Sequence, residues 1–495
     1  MNSNNVSKGR NTFLYSCLLL LCTATTTALA SDDTVQIKQT IYEDAAGNTE
    51  LLTLYGGDGN DFSKRIICGK DGGCTLFGYT NGSFGHTTDF LVIHLGPKTQ
   101  PSWAETYGGS NTDEIFNAIP TSDGGYFTGG VSESMFFTGL KIFSPHHHPR
   151  PWYVKLDSSG KMQWAGNIEI STDISGSEIA RTFQTPDGGY LLVGSYWEAY
   201  PDDGRQPMPD EWSGPSPKKT EGYQYYYPMV VKLSADGKPE WMQRYLFGDT
   251  GGWATSAVIM PSVNILIAGT VSDKKTGPLY LMETDPAGEP LHAETYTLTG
   301  AQGSNAFIQL SDGSYMLTGH LIEGNAPHSV VVVHFAADGK FDSGSLFKFP
   351  AGIRSLGLAQ GQDGRICIVG RTEDGSANKA EGMALLVDEH SNDLGEFWLS
   401  GSGNTELEDV APIAAGGFDI LGDTRAFGAT YFDMVRFTWL PGEKMTKRLV
   451  QEPYQPTVAS ITVTFQTGKI DLIRNVPLGF INFQSLSMPS GEDKH

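Results

Sequence analysis

Cysteine is scarce in this chain. There are five, two of them in an apolar N-terminal stretch, which leaves Cys68, Cys74 and Cys367 for the rest. Three thiols allow one intramolecular bridge at most, so cystine cannot be the framework of a fold this long. Charge is also sparse, at 18% of residues, and basic charge most of all: 34 Lys and Arg stand against 56 Asp and Glu, a net charge of −22. A surface that acidic repels phosphate backbones and anionic headgroups, which argues against nucleic acid and peripheral membrane binding. The chain is nevertheless 39% hydrophobic and 11% aromatic, too apolar to be disordered. It lacks an apolar run long enough for a transmembrane segment, and no 3.6-residue periodicity is sustained enough for a long helix.

Catalytic signatures are missing as well. The chain has no Gly-x-Ser-x-Gly elbow, no His-Glu-x-x-His zinc helix, no phosphate loop and no sialidase-type Asp box. No catalytic residue, metal site or cofactor is therefore expected. Asp61 and Asp113, each following a Tyr-Gly-Gly turn, read as caps of a repeated turn and not as a glycosidase pair.

At the N-terminus a targeting pattern is present. Lys8 and Arg10 precede the apolar run Phe13 to Cys22, and Ala28-Leu-Ala30 fits a small-x-small cleavage site before Ser31. The expectation is a signal peptide over 1–30 and a periplasmic or secreted mature chain. Lipoprotein processing at Cys22 fits less well, because Leu19-Leu-Leu21 lacks the small residues such a site prefers.

The rest of the chain is organised by one repeat: a turn, then Gly-Gly or a relative, then a short apolar strand ending in Gly. It reads Asp71-Gly-Gly-Cys-Thr-Leu-Phe-Gly78, Asp123-Gly-Gly-Tyr-Phe-Thr-Gly-Gly130 and Asp187-Gly-Gly-Tyr-Leu-Leu-Val-Gly194. Later copies are Asp312-Gly-Ser-Tyr315, Asp363-Gly-Arg-Ile366 and Ala415-Gly-Gly-Phe418, with Pro261-Ser-Val-Asn264 filling a gap without the Asp-Gly. The copies step by 52, 64, 75, 50, 51 and 52 residues, so a unit of about fifty-one has two enlarged members. Each unit continues with a second apolar strand (Trp152-Tyr-Val-Lys-Leu156, Met229-Val-Val-Lys-Leu233), an Asp/Gly turn, and a strand that often carries Trp (Trp103, Trp164, Trp241, Trp398). Four short strands joined by tight turns make an antiparallel meander, and radial stacking of such sheets buries both faces. The fold class expected is all-β, a single β-propeller of about seven four-stranded blades over 31–456.

The ends leave an alternative. Val35–Tyr42 and Leu51–Tyr55 read as the last half of a unit, and Val458–Phe465 with Lys469–Ile473 as the first half of another. Segment 457–495 is then closing strands and a tail, and an eighth blade composed from both termini is possible.

These repeats resemble bacterial exported β-propellers with repeated Asp-Gly-Gly-Tyr blades, a resemblance covering roughly Leu51 to Val450. It implies the fold and is nearly silent on activity. Asp157-Ser-Ser-Gly-Lys-Met-Gln-Trp164 and Asp236-Gly-Lys-Pro-Glu-Trp241 also resemble fragments of the tryptophan-docking repeat of quinoprotein propellers, where Trp locks neighbouring blades. The same echo resembles eight-bladed envelope assembly scaffolds, which use the propeller as a docking platform.

Both enlarged units carry their insert between the second and third strands, over about Ser132–Pro151 and Trp197–Pro228. The first offers Phe136, Phe137, His146, His147 and His148; the second offers Trp197, Tyr200, Trp212, Tyr223, Tyr225, Tyr226 and Tyr227. In a meander these connections leave from one face, so these residues are the candidate surface for an envelope or extracellular protein partner. The three consecutive histidines read as solvated and not as a metal site. His94 and His334 share a slot with Lys155, Lys232 and Arg436, a repeated polar position of the blade. The functional expectation is a non-catalytic scaffold; the alternative is a propeller enzyme acting on glycans or small polar substrates. Finally, Cys68 and Cys74 flank a hairpin turn and are expected to form a disulfide.

Overall fold

The computed structural model describes residues 38–486 apart from 44–49, 82–87, 98, 109–110, 135–149, 170–174, 200–223, 248–250, 272–276, 374–379, 415, 428, 441–458, 463–465, 470–472 and 478–481. Among the described residues, strands are the only regular elements. They form seven antiparallel sheets in a ring, a seven-bladed β-propeller. Blade 1 is Asp61–Cys68, Cys74–Thr80, Asp89–Leu95 and Pro101–Tyr107. Blade 2 is Asp113–Pro120, Tyr126–Ser132, Arg150–Leu156 and Met162–Glu169. Blade 3 is Ser175–Gln184, Tyr190–Ala199, Gln224–Leu233 and Pro239–Phe247. Blade 4 is Gly252–Ile259, Ile265–Val271, Leu279–Thr284 and Pro290–Thr297. Blade 5 is Ala301–Gln309, Tyr315–Ile322, Ser329–Phe335 and Phe341–Lys348. Blade 6 is Ile353–Gln360, Ile366–Thr372, Gly382–Val387 and Asp393–Leu399. Blade 7 is Thr405–Pro412, Phe418–Thr424, Asp433–Trp439 and, from the other end of the chain, Glu50–Gly56.

The first strands of successive blades pack on one another around the axis. Between each pair of neighbouring blades lies one apolar cluster, seven in all. Both faces of every sheet are thus buried, which is why the inner strands read as nearly continuous Val, Ile, Leu and Phe. In six blades the turn that closes the first hairpin has a left-handed glycine, Gly72, Gly124, Gly188, Gly313, Gly364 or Gly416. The copy without Asp-Gly places Val263 there instead, at φ 63°.

An eighth, composite blade does not form. The N-terminal strand Glu50–Gly56 takes the fourth place in blade 7, and Lys38–Glu43 lies outside it. The C-terminal residues give four short strands, Ala459–Thr462, Gln466–Lys469, Ile473–Pro477 and Asn482–Leu486. They pair antiparallel with the outer edges of blades 5, 4, 3 and 2 in that order. Each of the four pairs with a different blade, so they never meet in one sheet. Each instead covers the open edge of a fourth strand, where unpaired N–H and C=O groups would otherwise face solvent.

Candidate functional site

The second-to-third-strand connections and the blade-to-blade connections leave from one face, as alternation of strand direction requires. On that face the blade 3 hairpin stands out: both strands run ten residues, against six to eight in the equivalent strands elsewhere. Its ladder pairs Tyr196 with Tyr227, Trp197 with Tyr226 and Glu198 with Tyr225. The candidates Trp197, Tyr225, Tyr226 and Tyr227 therefore belong to strands and not to a loop, because the aromatic run keeps the period-two pairing going past the usual length. Alternation then sorts them. Tyr227 is buried with Tyr196 in the cluster between blades 2 and 3, and Arg244 lies 5.3 Å from each of these two rings. Trp197 and Tyr226 are partly exposed, and Tyr226 stacks on Trp253 of blade 4 at 4.0 Å between centroids. Phe136, Phe137, His146, His147, His148, Tyr200, Trp212 and Tyr223 lie outside the described residues.

Trp253 also lines the mouth of the central channel, which encloses a cavity of about 620 Å³. The channel wall has a feature that sequence reasoning missed. In every blade the pairing of the first and second strands shifts register at the same place, so that one residue goes unpaired. The seven bulged residues are Lys64, Phe116, Ala180, Thr255, Asn305, Leu356 and Glu408, and all seven line the cavity. A bulge lets a strand add one inward side chain while bending away from its crowded neighbours. The signal for it was in the sequence: each of these residues stands eight positions before the left-handed turn residue of its own repeat.

Charges in the channel are mostly paired. Lys64 lies 3.3 Å from Glu408, and Arg65 Nη1 donates to Asp409 Oδ1 at 2.7 Å. Asp409 Oδ2 accepts from the Ile66 amide at 2.8 Å. Burial pushes the Asp409 carboxyl up, and Arg65 draws it partway back. Outside the cavity wall, Glu406 is ion-paired with Arg371. His320, beside the channel, is pulled down to about 4 by burial and by Arg354, so its ring is neutral at pH 7.

The polar slot shared by His94, Lys155, Lys232 and His334 is structural; in blade 7 the strand register gives it to Thr438, opposite Asp419, and Arg436, expected there from the sequence, sits two residues earlier on the same face. Lys155 binds Asp123 at 2.8 Å and Lys232 binds Asp187 at 3.0 Å, each tying the third strand to the first turn of its own blade. His94 Nδ1 lies 2.8 Å from Thr75 Oγ1, and His334 Nε2 lies 2.7 Å from Ser391 Oγ. Blade 7 lacks the turn Asp, and its Arg436 finds Asp419 at 2.7 Å instead. Asp61 caps its turn as expected, accepting from the Gly57 amide at 2.7 Å. Asp113 accepts from the Ser132 and Ser134 hydroxyls.

Cys68 and Cys74 are cross-strand partners, with Cα atoms 4.1 Å apart and the sulfurs at disulfide distance. Both sulfurs lie against Asp419 Oδ2, at 3.4 and 3.2 Å. Cys367 is a buried thiol.

No protein-family model and no curated relative matches the chain. Solved structures similar to it include Sqt1 from Chaetomium thermophilum, at 13% identity and a TM-score of 0.37, covering 78% of this chain and 98% of that one. Likeness at that level carries no argument, and the seven-bladed fold rests on the strand order itself.

Proposed function

We propose that this is a non-catalytic binding propeller of the cell envelope or extracellular space, which holds a protein partner on the face bearing the blade 2 and blade 3 inserts. The observation that supports the reading most is the lengthened blade 3 hairpin, which sets Trp197 and Tyr226 beside the channel mouth on a rigid sheet. Aromatic side chains held by a sheet lose little entropy on binding and bury much area. Export is supported by the charged, apolar and small-residue pattern over Lys8 to Ala30 and by the resemblance to exported bacterial propellers. A paired Cys68 and Cys74 suits an oxidising compartment. The alternative, catalysis on a glycan or small polar substrate, needs a free acid and base facing one another. Glu408 and Asp409 of the cavity wall each hold a cation, which weighs against it.

Replacing residues 200–223 by a two-residue Asn-Gly turn tests the reading while keeping the ladder intact. The variant is expected to keep its far-UV strand signal and cooperative melting, and to lose the cross-linked partner that the intact protein takes from envelope extracts. Equal capture by both proteins, or global unfolding of the variant, would sink it. N-terminal sequencing of the exported chain is expected to begin at Ser31.

A further inference from the structure

The cavity in the channel is built unlike the rest of the molecule. The chain carries a net charge of −22, yet the cavity wall has four cations, Lys64, Arg65, Arg181 and Arg354, against the three carboxylates Glu178, Glu408 and Asp409. Lys64, Arg65 and Arg354 each have a carboxylate within 4 Å: Glu408, Asp409 and Glu373. Arg181 has none among the described residues. Its guanidinium donates only to backbone carbonyls, that of Ala180 at 2.8 Å and, across the channel in blade 5, that of Asn305 at 3.4 Å. Two neighbouring donors, Arg65 Nε and Arg354 Nε, are buried without a hydrogen-bond partner. Natural structures seldom leave such groups unsatisfied, and each unmet charged donor costs more than a neutral one. The remaining wall is apolar where Phe116, Trp253 and Leu356 face the space, and Thr255 and Asn305 add hydroxyl and amide groups.

We propose that the central channel binds a small organic monocarboxylate, its carboxylate seated on Arg181 and its apolar body against Phe116, Trp253 and Leu356. A planar guanidinium offers two parallel donors that match a carboxylate. Arg181 is the wall cation with no carboxylate within 4 Å among the described residues, and one negative charge seated beside it would balance it. The cavity volume of about 620 Å³ falls in the range of about 300–1,000 Å³ usual for small-ligand sites. Arg181 stays protonated at neutral pH although burial, with Arg65 beside it, draws its pKa down to about 10. The site shares Trp253 with the partner face, but its ligand and its test are separate, so either reading can fail without the other.

The test is calorimetric titration of the full-length mature protein with a series from acetate to 3-phenylpropionate, with phenylacetamide as the neutral control and inorganic phosphate as the competing anion. Phenylacetate or 3-phenylpropionate is expected to bind saturably, and phenylacetamide not to bind. R181M is expected to weaken binding by about thirtyfold or more, since it removes a charge-assisted pair. A180W, which fills the channel at a bulge without altering its charge, is expected to abolish it. The ligand-free melting temperature of R181M should equal or exceed the wild-type value, because an uncompensated guanidinium is removed. A clear fall would make Arg181 a structural brace and overturn the proposal. So would the absence of saturable binding across the whole series, binding that R181M leaves intact, or a preference for phosphate over every carboxylate.

Discussion

The seams between blades are built in two ways. Between blades 1 and 2, 2 and 3, and 3 and 4, an aromatic side chain lies on a turn glycine of the next blade. Trp103 covers Gly160, Trp164 covers Gly237 and Trp241 covers Gly288, so closely that a Cβ on any of these glycines would meet the indole within 3 Å. Each glycine also has φ near +80°, and its carbonyl accepts from a tyrosine hydroxyl, of Tyr107, Tyr153 and Tyr245 respectively. At the seam where blade 7 meets blade 1, acidic side chains do this work. Asp409 holds Arg65 and the Ile66 amide, Asp423 accepts from the Ser63 amide at 2.6 Å, and Asp419 lies against the Cys68 and Cys74 sulfurs. The residues joined there are more than 340 positions apart in the chain. Consecutive blades are brought together by a short connection and need mainly area to pack. The closing seam must find its register without that help, and directional, charge-assisted hydrogen bonds specify a register better than apolar contact does.

The largest expected effect is at the closing seam. Asp419→Ala strands the buried Arg436 guanidinium and should cost about 3–5 kcal/mol in urea unfolding. The double variant D419L/R436M should recover most of it, which would separate the charge from the packing.

Next comes pH. Burial raises Asp61, at the entry to blade 1, to about 6. Its folded pKa lies above the unfolded value of 3.8, so its contribution is fully present below pH 3.8 and is lost as pH rises through 6. Asp61→Asn should flatten the stability profile between pH 4 and 6 by up to about 3 kcal/mol. Asp89 rises to about 6 by burial as well, so some slope should persist in that variant.

The aromatic seams should give a smaller and more local loss. Trp164→Ala is expected to cost about 2–3 kcal/mol. Gly237→Ala should be markedly less harmful in that background than alone, because the indole it collides with is gone; additive losses would refute the lock. The smallest effect should be a gain. Val263 is 42% exposed and left-handed, so Val263→Gly should raise stability by about 1 kcal/mol in thermal melts.

Much of this architecture is legible in the sequence. The fifty-one-residue period, the hairpin turns, the Cys68–Cys74 pairing and the seven blades all follow from local signals: turn residues that tolerate left-handed backbone, and apolar strands of fixed length. Trp103, Trp164 and Trp241 were visible as a recurring strand residue. Trp398 belongs with them only in composition: it sits opposite Met383, three positions beyond Gly395, which holds the equivalent slot. It therefore points the other way, onto Phe349. The candidate site was half legible. Enlarged repeats marked the blade 3 hairpin and its face, but the aromatic run looked like a loop because strand length depends on pairing partners that the local sequence does not name. The bulge ring stayed hidden because its members, from Lys64 to Leu356, share a position and not a residue type.

The sequence alone determined what depends on neighbours along the chain: where each hairpin turns, which strands are apolar on both faces, and which cysteines can meet. The tertiary structure decided what depends on the ring being closed. Only closure sets Glu50–Gly56 into blade 7, spreads the C-terminal strands over four outer edges, and gathers seven bulged residues around one axis. Those contacts join residues that are distant in sequence. Their partners are selected by geometry that exists only once every blade is in place.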